Sequence, residues 1–149
     1  LRSHTWNFAI TRASLAKLSD APAFEYANQF ALPTDPFCLR VLKMEFEDYE
    51  FKVENLAGQG RVLLTNEGEA KIIYIARITD PSLFDSMFVD VLTAKLAVDL
   101  AYPVTNSSTL QANMQKLFER KLSEARSLDS TEGTTDSIIS TVFTDFRAP

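Results

Sequence analysis

The chain is short of the side chains that most chemistry at neutral pH relies on. Its 149 residues include one cysteine, Cys38, and one histidine, His4. A single thiol excludes an intrachain disulfide and a cysteine metal site, and a zinc site would have to be built from carboxylates, an unusual donor set for that ion. A reducing or redox-neutral setting fits. The chain also lacks a long basic run: 15 Lys and Arg stand against 20 Asp and Glu, for a net charge of -5. Affinity for nucleic acid comes largely from Lys and Arg displacing condensed counterions, so this balance argues against a surface built to hold DNA. No apolar run approaches the roughly 20 residues of a membrane-spanning helix, and no membrane partner is expected. The opening Leu1-Arg2-Ser3-His4 has no basic stretch leading into an apolar one, so it does not read as a signal peptide. Because the chain starts without Met, an N-terminal piece is expected to have been processed away or left out.

What is present is apolar and aromatic. Hydrophobic residues make up 46% and aromatic residues 11%, with 11 phenylalanines, a composition that excludes global disorder and demands a core or interface able to absorb many rings. The length suits one domain that buries roughly two-thirds of the surface its unfolded form exposes.

Three zones follow one another. From Trp6 to about Ile78 short apolar runs alternate with turn-forming residues, which predicts strands over 6–15, 24–32, 39–46, 51–54, 62–64 and 72–78. From Asp80 the period becomes helical. Asp80 is the expected N-cap and Pro81 the first helical residue, with a core stripe of Phe84, Met87, Phe88, Val91, Ala94 and Val98. Ser82, Ser86, Asp90 and Thr93 line another face, and Lys95 and Asp99 form an exposed pair four apart. Beyond Leu96 the apolar surface widens to Ala97, Leu100, Ala101 and Tyr102, so this half is expected to be buried on most sides, and Pro103 is expected to stop the helix. A second helix follows a predicted capping box of Ser108 and Gln111, its stripe formed by Leu110, Met114, Leu117, Phe118, Leu122 and Ala125. The short connection makes the two helices an antiparallel hairpin. The third zone, Ser127 to Pro149, opens with a polar stretch, Asp129 to Asp136, read as a flexible linker. After it Ile138, Ile139, Val142, Phe143 and Phe146 recur at helical steps in a segment too short to be stable alone.

The expected fold is therefore α+β. An antiparallel sheet packs with a two-helix hairpin in a domain over 1–128, with helices at about 81–102 and 109–127, and residues 129–149 form a linker and C-terminal docking segment.

Candidate chemistry is thin. His4 reads as a residue near the chain's start. Cys38, between Phe37 and Leu39, reads as a buried small hydrophobe rather than a reactive thiol. The acidic cluster Glu45, Glu47, Asp48 and Glu50 contains the paired carboxylates that glycoside hydrolysis requires, yet alternation with Met44 and Phe46 turns Glu45 and Glu47 outward, where nothing would keep one protonated. Gly58-Gln59-Gly60 lacks the Lys and helix start of a phosphate loop and reads as a turn. No catalytic residue, metal ligand or cofactor is assigned. The surplus apolar surface at Leu96, Leu100 and Tyr102, with the C-terminal set Ile138, Ile139, Val142, Phe143 and Phe146, is instead expected to meet a neighbouring subunit or another protein.

Three segments carry a resemblance: His4-Thr5-Trp6-Asn7-Phe8-Ala9, then Tyr74-Ile75-Ala76-Arg77-Ile78-Thr79-Asp80-Pro81 with Leu83-Phe84, then Lys121-Leu122-Ser123-Glu124-Ala125-Arg126. In that order, with a Leu32-Pro33 strand end between them, they resemble the tail tubular protein A family, the head-to-tail adaptor or gatekeeper-like proteins of short-tailed bacteriophages. The resemblance spans Leu1 to about Asp129. Thr5 stands where relatives often have proline, and the helix that usually precedes the Trp-Asn-Phe segment is lacking. The resemblance implies a non-enzymatic virion protein at the head-to-tail junction, assembled in the host cytoplasm. It implies a ring of about twelve copies seated beneath the portal protein and joined to the tail nozzle protein, with tail fibres nearby and DNA passing through unbound. The net negative charge is compatible with such a channel. Two other readings stay open: a tail-associated peptidoglycan hydrolase with Glu45 or Glu47 as the acid, and an oligomeric scaffold unrelated to virions.

Overall fold

A computed structural model describes residues 4–132. Among the described residues the chain forms six strands: β1 (Ile10–Ser14), β2 (Asn28–Ala31), β3 (Cys38–Met44), β4 (Phe51–Leu56), β5 (Gly60–Thr65) and β6 (Lys71–Ala76). Two helices follow, α1 (Ser86–Thr105) and α2 (Ser108–Asp129). The fold is α+β, as the two periodicities required. The strands form two sheets rather than one, in the orders β1-β6-β3 and β2-β5-β4, both antiparallel throughout. The chain divides into two compact units inside α1, Leu1–Val89 and Asp90–Pro149.

Of the four pairings between these strands, one is local. β4 and β5 make a hairpin in which Leu56 faces Gly60, and the turn needs positive φ at Gly58 (77°) and Gly60 (80°), values an L side chain resists. The glycine-rich segment is thus a turn, as read. The remaining pairings join distant segments, with β6 lying between β1 (Ile10 opposite Ile75) and β3 (Val41 opposite Tyr74). The central strands are correspondingly the most buried: Val62 to Thr65 on β5 and Ile72, Tyr74, Ile75 and Ala76 on β6. The edge strand β4 alternates half-buried Phe51 and Val53 with exposed Lys52 and Glu54.

The two sheets share one core. Phe30 and Leu63 of the second sheet cluster with Val41, Met44, Ile72 and Tyr74 of the first. Beyond β1 the chain continues alongside β2, where Ala31 N–H donates to Ala16 O (3.0 Å) and Leu18 N–H to Gln29 O (2.9 Å), so one edge of each sheet is stitched to the other. At another margin the Arg61 guanidinium donates to the Cys38 carbonyl at the start of β3.

Two polar side chains inside this core are satisfied. The amide of Gln29 donates to Asp20 O (2.7 Å). Thr65, fully buried, donates its hydroxyl to Glu50 O (2.9 Å) and accepts from Glu67 N–H (3.4 Å). Thr65→Val keeps the shape and removes both bonds, leaving the Glu50 carbonyl without this donor. Its expected cost is about 1–3 kcal/mol, read as a lower urea midpoint with an unchanged slope.

The helix boundaries differ from the sequence reading for reasons visible in the caps. Asp80 does cap, its carboxylate accepting from Ser82 N–H (2.9 Å) and Ser82 O–H (2.8 Å), and the hydroxyl bond first and the amide bond second hold its carboxyl below the usual range. That cap serves a single 3-10 turn, Pro81–Leu83. The long helix starts afresh at Ser86, where Asp85 accepts from Met87 N–H (2.7 Å). Pro103 does not stop α1 but lies inside it near its end, where its ring nitrogen has no N–H to give to Asp99 O. The helix ends at Asn106, whose φ of 55° is left-handed and whose N–H donates to Tyr102 O (2.8 Å). The α2 cap is Ser107 rather than Ser108: its hydroxyl accepts from Leu110 N–H (3.2 Å). With only Asn106 and Ser107 between them the helices fold back on each other, and Lys121 of α2 reaches Asp90 of α1 at 2.8 Å. That hydrogen bond, before the accompanying charge attraction, raises the Lys121 pKa.

Candidate interaction surface

The candidate reactive groups stand apart from one another. Cys38 is buried at the first position of β3, and burial pushes its thiol up, so it stays protonated and packs as a small apolar group, as expected. His4 lies edge-on to Trp6, ring centroids 4.6 Å apart. Glu45, Glu47, Asp48 and Glu50 are all exposed on the β3–β4 connection. Glu45 is held by Lys71 at 3.0 Å, and Glu47 lies 3.9 Å from Lys43. Phe46, taken as an inward residue by alternation with Glu45, is instead exposed and stacks edge-on with Tyr49 at 5.1 Å, because β3 ends at Met44 and the alternation ends with it. A cleft of about 390 Å³ opens beside Arg12, Glu45 and Lys71, but its acid is already paired with its base. Among the described residues no group of three or more His, Cys, Asp or Glu could hold a metal ion, and no helix is long and apolar enough to cross a membrane.

The feature left over is the part of helix α1 from Asp90 onward, within the second unit. At 3.6 residues per turn, Val91, Ala94, Val98 and Ala101 share one side, and all four are buried. Leu92, Leu96, Leu100 and Val104, four apart, share the opposite side and are 40%, 53%, 57% and 76% exposed. Asp90, Lys95 and Asp99 lie on the flanks between these faces, the last two joined at 2.7 Å as the sequence predicted, while exposed Thr93 falls within the apolar side between Leu100 and Val104. A helix that buries one stripe normally turns charge to water on the other side. Here the second side is a leucine stripe about 18 Å long, twelve residues at ~1.5 Å each.

This corrects the expectation that the second half of α1 is buried on most sides. Of its apolar residues beyond Leu96 only Val98 and Ala101 are buried, since one face of the helix alone is covered. The three helix residues singled out for contact do not share a surface either. Leu96 and Leu100 belong to the stripe, whereas exposed Tyr102 lies roughly 200° around the helix from Leu100, near Lys95. The sequence reading missed Leu92 and Val104, although their four-residue spacing from Leu96 and Leu100 was the available signal. It also missed Phe24, 78% exposed on the β1–β2 connection beside Glu25, whose φ is 73°. Ile138, Ile139, Val142, Phe143 and Phe146, with the expected linker from Gly133 onward, lie outside the described residues.

No protein-family model matches the chain, and no characterised protein aligns with it significantly.

Proposed function

We propose that the chain is a structural virion protein, a subunit of the adaptor ring that joins the portal to the tail nozzle of a short-tailed phage and lines the DNA exit channel. The observation that carries this reading is the exposed leucine stripe of α1. Four large apolar side chains in line on an otherwise well-capped helix are a surface that a protein partner covers, and a subunit that meets two neighbours needs such a surface besides its core. The order of the Trp6, Tyr74 and Lys121 segments supports the family, and the pairing of Glu45 with Lys71 on an exposed turn favours the structural reading over the hydrolytic one. Subunits related head to tail bury different surfaces on each side and close into a ring when the rotation per copy allows it. The net charge of -5 suits a wall past which phosphate slides.

Electron microscopy of the purified protein, alone and mixed with a portal complex, tests this. Rings of about twelve copies stacked on the portal are expected. A protein that stays monomeric and leaves the portal bare overturns the reading, and peptidoglycan cleavage that is lost in Glu45→Gln would replace it with the hydrolase.

A further inference from the structure

We infer that the free edge of β1 is a docking site for an extended polypeptide segment of a partner protein, one that alternates apolar and acidic residues. The site lies within the first unit and does not depend on the ring reading. In an antiparallel ladder, successive residues turn their backbone groups to one neighbouring strand and then to the other. Leu15 N–H donates to Ala70 O (2.8 Å), so in the register that sets Ile10 opposite Ile75, Thr11 and Ala13 bond β6 while Ile10, Arg12 and Ser14 turn away from it. Glu45 N–H donates to Lys71 O (2.9 Å), which fixes the same phase from the β3 side of β6. Past β1 the outward groups are used: Ala16 O accepts from Ala31 N–H, and Leu18 N–H donates to Gln29 O. Counting on from Ala31 opposite Ala16, the partner due to Ser14 is Pro33, which has no N–H to give. The pairing stops there. Among the described residues nothing takes it up again along Ser14, Arg12 and Ile10.

The other sheet edges are guarded. The edge of β2 is covered by Ala16 and Leu18. β3 changes register twice, and its Cys38 and Leu39 carbonyls accept from the Arg61 guanidinium. β4 presents Lys52 and Glu54, joined at 3.1 Å. β1 instead borders a groove of about 520 Å³ lined by residues 11–16, residues 31–36 and Tyr74. A segment laid in it alongside β1 completes the ladder with main-chain hydrogen bonds, the way exposed sheet edges take up peptides. The neighbouring side chains set its composition. Thr11 and Ala13 are half-buried, with Tyr74 opposite Thr11 and Ala13 packed against the core, so segment residues on that side are apolar. Arg12 is exposed on the other side, and no acidic side chain pairs with it among the described residues, the nearby Glu45 being held by Lys71 at 3.0 Å. A carboxylate on the segment opposite Arg12 supplies that partner.

The probe is the peptide acetyl-Val-Glu-Val-Glu-Val-amide, added to the isotope-labelled full-length protein with hydrogen exchange read at each amide by NMR. Without peptide, the Arg12 and Ser14 amides are expected to exchange at least about tenfold faster than those of Thr11 and Ala13. At saturating peptide they are expected to slow by at least about tenfold while Thr11 and Ala13 change little, an alternation that binding elsewhere on the surface does not produce. Ser14→Pro removes an outward donor and no bond to β6, so it is expected to abolish binding and leave exchange at Ile72 to Ala76 unchanged. Arg12→Glu, at an exposed position, is expected to lose this peptide and to bind acetyl-Val-Lys-Val-Lys-Val-amide instead. Arg12 and Ser14 amides that are already slow in the dilute protein, or that the peptide leaves unchanged, overturn the inference. So does binding that survives Ser14→Pro, or a peptide preference that Arg12→Glu does not reverse. Amides that slow only as the protein is concentrated make the occupant a second copy of the chain and overturn it as well.

Discussion

Leu63→Ala is expected to lower the unfolding free energy by about 2–5 kcal/mol, enough to remove much of the stability of a domain of this size. Leu63 is completely buried at the middle of β5, the central strand of its sheet, and belongs to the cluster that joins the two sheets. Its neighbours across the ladder, Phe30 on β2 and Val53 on β4, hold the backbone on both sides, so the strand cannot shift to close the space left by the lost methyl groups. The cost therefore includes a cavity as well as the transfer of the removed atoms, and it falls at the upper part of the range if the site does not collapse. Chemical denaturation gives the number directly. Val53→Ala makes the control: Val53 lies on the edge strand and is only half-buried, so a loss well below that at Leu63 is expected. Equal losses at the two positions would mean that the sheets are not held together through β5.

Which parts of this architecture could be read from the residues follows from the range of the interactions involved. The β4–β5 hairpin was legible because its turn residues, Gly58 and Gly60, and its alternating strand residues are contiguous. The split into two sheets was not, because β6 finds β1 and β3 across tens of residues and a period of two says that a segment is a strand without naming its neighbours. At the helix starts the right kind of residue was read at the wrong place. Asp80 caps one turn and Asp85 the helix, and Ser107 takes the role assigned to Ser108, since several Ser and Asp residues in a row offer equivalent oxygens and only the backbone selects among them. The candidate surface was half legible. Leu96 and Leu100 stood out as surplus, but counting apolar residues around a helix does not show which side is covered. Leu92 and Val104 join the surface and Tyr102 leaves it once the buried face is fixed by Val91, Ala94, Val98 and Ala101.

Trp6→Ala is expected to cost about 3–5 kcal/mol, the range for removing a buried aromatic side chain. Trp6 is only 4% exposed and sits at the hub of a ring cluster: its centroid lies 5.3 Å from Phe88, with the planes 70° apart, and 6.4 Å from Phe8. Phe8 in turn touches Phe84 at 5.9 Å and Phe88 at 5.1 Å, and those two rings meet edge to face at 5.3 Å. Offset and edge-to-face pairs add to the area term, so Trp6→Phe, which keeps a ring in the cluster, is expected to recover more than half of the loss. The consequence is local as well as global. Residues 6–8 are what hold the 3-10 turn at Pro81–Leu83 and the first turn of α1 within their unit, so hydrogen exchange at Met87, Phe88 and Val89 is expected to quicken in Trp6→Ala more than at Ile72 to Ala76 of β6. Uniform acceleration at both sites would mean that the cluster acts through global stability alone. This also separates two kinds of sequence signal. The Trp6 to Ala9 segment carries part of the family resemblance, yet its burial gives it a packing role that any function would preserve. The stripe from Leu92 to Val104 is left largely exposed in a single copy, so the proposed assembly draws its support from there rather than from the tryptophan.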